Sequence, residues 1–104
     1  MSRTQIFFQS TNDQLNYKNI CDILQYNNFR YVCEKNEYVW KWGTGFLTAI
    51  KYIKLEFPYP GQIVIHAWIR PLLFPEMKLD NGFFGLIPKQ ELQSIITIIS
   101  QYIV

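Results

Sequence analysis

Histidine occurs once in this chain of 104 residues, as His66, and cysteine twice, as Cys21 and Cys33. Two cysteines build neither a disulfide framework nor a four-ligand zinc site, so both read as small buried hydrophobes. Catalysis by histidine needs an orienting carboxylate and a nucleophile beside it. Glu56 is a conceivable cross-strand neighbour of His66, but no serine or cysteine is held near it by sequence. No catalytic residue, metal ligand set or cofactor is therefore expected. No apolar run approaches the ~18 residues of a membrane span. The opening MSRTQIFFQS lacks the apolar stretch of a secretory signal, and a cytoplasmic setting is the expectation. Charge of one sign is not in large excess. Ten Lys and Arg face eight Asp and Glu, a net charge of +2, which does not by itself point to nucleic acid or a membrane surface. Gly43-Thr44-Gly45-Phe46 resembles part of a phosphate loop, but neither the third glycine or Gly-Lys-Ser/Thr ending nor a helix directly after is clear, and it reads as a turn.

What is present is apolar and aromatic. Hydrophobic residues make up 49% of the chain and aromatics 17%, far from a disordered composition. The length fits one domain, residues 1–104. Residues 38–71 hold all three tryptophans and the single histidine, and they organise the rest.

Thr4–Gln9 reads as a short strand with Phe7 and Phe8 on opposite faces. A helix over about 12–26 follows. Tyr17, Ile20, Cys21, Ile23 and Leu24 form its apolar side, Thr11 and Gln14 stand at capping-box spacing, and Asn27-Asn28 ends it. Phe29–Glu34 and Tyr38–Trp42 alternate with period two and are joined by a short polar link, the pattern of a hairpin. After an ambiguous segment over 44–49, a strand runs from Ile50 to Phe57. Pro58-Tyr59-Pro60-Gly61 turns the chain into a strand over Gln62–Arg70. An even loop would set inward isoleucines beside Lys54 and Glu56. An odd loop of about five residues sets Ile53 against Ile65 and Leu55 against Ile63, and the apolar pattern selects it. Glu76–Leu79 is a candidate further strand. Leu92, Ile95, Ile96 and Ile99 then mark a helix over 88–103.

The fold expected is α+β: a two-layer domain with an antiparallel sheet of about four to six strands and both helices on one face. The order is β-α-β-β-β-β-(β)-α. Ile53, Leu55, Ile63, Ile65 and Ile69 build the inner face.

The other face of such a sheet would carry Lys41, Tyr52, Lys54, His66, Trp68 and Arg70, the candidate binding residues. Aromatics interleaved with cations can stack bases and meet phosphates, though the low net charge and the lack of an RNP-type motif argue against nucleic acid. Leu72, Leu73, Phe74 and Met77, set among prolines, form either a lid on the core or an interaction patch. The final helix, without charge after Glu91, leaves a homodimer open.

Trp42-Gly-Thr-Gly-Phe46, Tyr52-Ile-Lys54, Ala67-Trp-Ile-Arg70 and Asn81-Gly-Phe-Phe-Gly-Leu-Ile-Pro-Lys89 carry a resemblance. Over about residues 40–103 the chain resembles a group of small bacterial α+β domains of the low-GC Gram-positive type. The resemblance implies a bacterial cytosolic domain and carries no activity and no site residues. The leading expectation is a non-enzymatic binding or protein-interaction module. The alternatives are a small-ligand binder or enzyme around His66, Trp68 and Arg70, and a single-stranded nucleic-acid binder on the sheet face.

Overall fold

The computed structural model describes residues 3–43, 50–70 and 86–104, with the backbone alone over 86–89. Its elements are β1 (Thr4–Gln9), α1 (Asp13–Tyr26), β2 (Arg30–Glu34), β3 (Glu37–Trp42), β4 (Ile50–Glu56), β5 (Gln62–Arg70) and α2 (Leu86–Tyr102). The strands form one antiparallel five-stranded sheet in the order β1-β5-β4-β3-β2. The fold is α+β. The candidate strand at 76–79 and the segment 44–49 lie outside the described residues.

Local chemistry accounts for most boundaries. The helix start differs from the capping box expected at Thr11 and Gln14. Asn12, a better cap, takes the N-cap position, and its Oδ1 accepts from the Leu15 N–H at 3.1 Å. At the other end Asn28 adopts φ 68°, and Phe29 donates its N–H back to Leu24 at 2.9 Å. That left-handed exit delays β2 by one residue, to Arg30. Lys35 and Asn36 both have positive φ, 50° and 65°, and Glu34 faces Glu37 across them. This is a two-residue hairpin turn whose twist matches the strands.

The β4–β5 hairpin has the expected parity but a different register. Leu55 faces Ile65 and Ile53 faces Ala67, two residues from the pairing expected. A shift of two leaves every side chain on its own face, so the apolar pattern alone cannot separate these registers. Gly61, at φ 87°, helps set the loop length. Its carbonyl accepts from the Ser10 N–H at 2.8 Å, and its N–H donates to Asp13 Oδ2 at 3.0 Å.

The main core lies between the sheet and the helices. Ile53, Ile63, Ile65, Ala67 and Ile69 meet Ile20 and Leu24 of α1 and Leu92, Ile96 and Ile99 of α2, with Leu55 packed beside them. Lys51 points into the same layer. It is buried by lying 3.7 Å from the Trp42 ring centre and pairing with Glu91 at 2.9 Å. Asn16, absent from the expected apolar face, is fully buried. Its amide joins Ser10 to the backbone of Val104.

Candidate functional site

The face opposite the helices collects Lys41, Tyr52, Lys54, His66, Trp68 and Arg70, since the registers place them on neighbouring strands with common parity. That face is curled. Extending the β1–β5 register places Arg3 across from Trp68. On a flat sheet the backbones of Arg3 and Glu37 would stand about 20 Å apart, three strand spacings sideways and four residues lengthways. Yet Arg3 Nη1 and Nη2 donate to both oxygens of Glu37, at 3.0 and 2.7 Å. Twist and coiling bring these corners together.

A second core lies in the concavity. Val39, Ile50, Tyr52 and Trp68 are buried there, with Val32 against them. Tyr52 and Trp68 stack at 5.1 Å between ring centres, and the Arg3 guanidinium lies 3.6 Å from the Trp68 ring centre. Only 3% of Tyr52 and 2% of Trp68 is exposed, so neither ring offers a face to a base or a ligand. Around them Glu34 pairs with Lys41 and accepts from the Tyr52 hydroxyl at 2.9 Å. Lys54 pairs with Glu37 at 3.1 Å. The cavity bounded by Arg3, Glu34, Glu37, Tyr52, Trp68 and Arg70 measures about 20 Å³, room for about one water. His66 is in hydrogen-bond contact with Glu56, outside that cavity. The six candidate residues thus share one face, but Tyr52 and Trp68 are enclosed in a second core and Lys41 and Lys54 are held in ion pairs around it.

The network has an electrostatic signature. The Arg3 guanidinium, aided by Lys54, outweighs desolvation and holds the Glu37 carboxyl at about 2. At Glu34 burial pushes upward, and the hydrogen bonds from Lys41 and Tyr52 outweigh it, leaving the carboxyl below its usual range. A depressed carboxylate contributes stability above its unfolded pKa and loses it as pH falls through the folded value. Glu37→Gln is therefore expected to cost about 1–2 kcal/mol at pH 7, discounted for partial exposure. The deficit relative to the native chain should close between the ordinary carboxylate pKa of 4.5 and about 2. Denaturant titrations at several pH values measure it; a deficit that persists unchanged to pH ~2 contradicts the assignment.

Among the described residues no group of three or more His, Cys, Asp or Glu could hold a metal ion, and no helix is long and apolar enough to cross a membrane. Leu72, Leu73, Phe74 and Met77 lie outside the described residues.

A stacked and exposed aromatic pair is found on the helix side of the sheet, at the β2 edge. Tyr31 is 53% and Tyr38 62% exposed. Their rings stack at 5.6 Å, and Tyr31 leans on Trp40 at 5.1 Å. Cys33, opposite Tyr38, is exposed, and Cys21 is partly exposed. The expectation of two buried cysteines is thus corrected. Two helices of about 10 Å diameter cover about four strand spacings, and β2 lies at the rim of that cover. A second patch lies between the helices, where Tyr26, Ile98 and Tyr102 border an open groove of about 500 Å³.

No family model, curated protein or solved structure matches this chain.

The β2 edge was not among the candidate residues, although a signal for it existed. Tyr31 and Tyr38 share the inward parity but carry hydroxyls, where the central strands carry isoleucine. A tyrosine at an inward position of an outer strand marks a place where water reaches one end of the ring.

Proposed function

We propose that the chain is a small non-enzymatic interaction module of a bacterial cytosolic protein, docking a protein partner on the corner formed by β2 and β3. The observation that carries this reading is the stacked Tyr31–Tyr38 pair, more than half exposed. Rigid aromatic rings supply large contact area at low entropic cost and are enriched in binding hot spots. Among the described residues β2 is also a sheet edge, a second route for docking a partner beside the two rings. The bacterial cytosolic setting is supported by the resemblance of residues 40–103. A small-ligand site around His66, Trp68 and Arg70 is disfavoured by the burial of Trp68 and the size of the adjoining cavity. Stacking of single-stranded nucleic acid on the same face is disfavoured by the burial of both rings.

The test is selection of binders from a displayed random-peptide library. Binding of the selected peptides is expected to fall at least about tenfold in Tyr31→Ala and Tyr38→Ala, the effect of losing a hot spot. It should be unchanged in Tyr26→Ala, which alters the helix groove. Binders indifferent to Tyr31 and Tyr38 overturn the reading.

A further inference from the structure

We propose that the partner at this corner is a second copy of the chain, joined by antiparallel pairing of β2 with β2 about a two-fold axis at Val32. The proposal rests on the interaction-module reading above and names its partner.

The hairpin fixes which backbone groups are free. A two-residue turn closes on a hydrogen-bonded pair, here Glu34 and Glu37. Direction alternates along a strand, so Arg30, Val32 and Glu34 point their N–H and C=O toward β3. Those of Tyr31 and Cys33 point out from the sheet edge. Among the described residues β2 is the last strand of the sheet, and it carries no proline, bulge or inward lysine of the kind that blocks edge pairing.

The sequence of β2, Arg-Tyr-Val-Cys-Glu, is complementary to itself in one register. An axis at Val32 places Tyr31 of each copy opposite Cys33 of the other, joining all the outward N–H and C=O groups of these residues in hydrogen-bonded pairs. It also places Arg30 of each copy opposite Glu34 of the other, an opposite-charge pair made twice. Arg30 is exposed and makes no ion pair with any described residue. On the helix side the same register sets Cys33 between Tyr38 of its own copy and Tyr31 of the other. The exposed cysteine and both exposed tyrosines then share one apolar row. Shifting the axis to Tyr31 or Cys33 shortens the overlap and loses both charge pairs. The opposite edge, β1, has no charged residue from Thr4 to Gln9, so no charge pairing sets its register.

A five-residue pairing is a small interface, and dissociation in the micromolar-to-submillimolar range is expected. Sedimentation across that range should show a monomer–dimer equilibrium. Arg30→Glu would place like charges opposite one another twice and weaken it about tenfold. Cys33→Pro should abolish it, because proline deletes only an outward N–H, while circular dichroism remains that of the folded chain. Val32 faces its own copy in a non-hydrogen-bonded pair, about 4.5 Å between Cα atoms and within disulfide reach. Val32→Cys in a Cys21→Ser, Cys33→Ser background should therefore form a covalent dimer in mild oxidant. A chain that stays monomeric up to about 1 mM overturns the proposal, as does a dimer indifferent to Arg30→Glu and not trapped by Val32→Cys. If the monomeric chain still selects peptides sensitive to Tyr31 and Tyr38, the interaction-module reading stands with a different partner. If those peptides are indifferent as well, both fall.

Discussion

Trp68→Ala is expected to destabilise the fold by about 3–5 kcal/mol, the range for truncating a buried tryptophan. A domain of this length has about 5–15 kcal/mol in total, so Tm should fall by well over about 10 °C. Trp68 is 2% exposed. Truncation removes its stack on Tyr52 and leaves the Arg3 guanidinium, 3.6 Å from the ring centre, without its desolvated aromatic partner, a contact worth up to about 2 kcal/mol. Guanidinium denaturation measures the loss. A double-mutant cycle with Arg3→Met isolates the Arg3–Trp68 coupling, expected at about 1–2 kcal/mol. The result separates two roles for one residue. A ring held out for a ligand could be lost with little change in stability, so a loss under about 1 kcal/mol would contradict its place in the second core.

Asn16→Leu is expected to cost about 2–4 kcal/mol although leucine nearly preserves the shape. The Asn16 amide donates to Ser10 Oγ at 2.6 Å and to the Val104 carbonyl at 3.1 Å, and its carbonyl accepts the Val104 N–H at 2.9 Å. Each such bond contributes about 1 kcal/mol net, so the loss of all three accounts for the expected cost. The Val104 carbonyl keeps a donor, since the Thr11 N–H also reaches it at 2.8 Å. The Val104 N–H keeps none among the described residues. Local consequences should follow, with amide exchange faster at Val104 and in the last turn of α2 than in β4 and β5. Protection at Val104 and the last turn of α2 that falls no more than that of β4 and β5 would show that Asn16 does not clamp Val104 to α1.

The sequence was legible where a property repeats along the chain. Period two in Gln62–Arg70 identified β5 at its observed bounds and its inward residues Ile63, Ile65 and Ile69. Helical spacing placed Ile20 and Leu24 inward in α1, and Leu92, Ile96 and Ile99 in α2. Asn16 was invisible to that method because its burial depends on Ser10 and Val104 meeting it. The capping box at Thr11 failed because a better cap stood one residue later. The charged face was gathered correctly from parity. Its closure was not legible, since it depends on Arg3 reaching Glu37 across three strand spacings.

By itself, then, the sequence determined the class of the fold, the type of nearly every element, the faces of its strands and the parity of the β4–β5 register. These follow from covalent neighbours and from residues a few positions apart, whose side-chain directions are set by the backbone repeat. Only the tertiary structure decided that β1 pairs with β5, that the register lies two residues further on, that Tyr52 and Trp68 are enclosed and that Tyr31, Cys33 and Tyr38 protrude. Each of these depends on contacts between distant segments. Burial in particular is set by how far two helices and a curled sheet extend, and no periodicity along the chain encodes that extent.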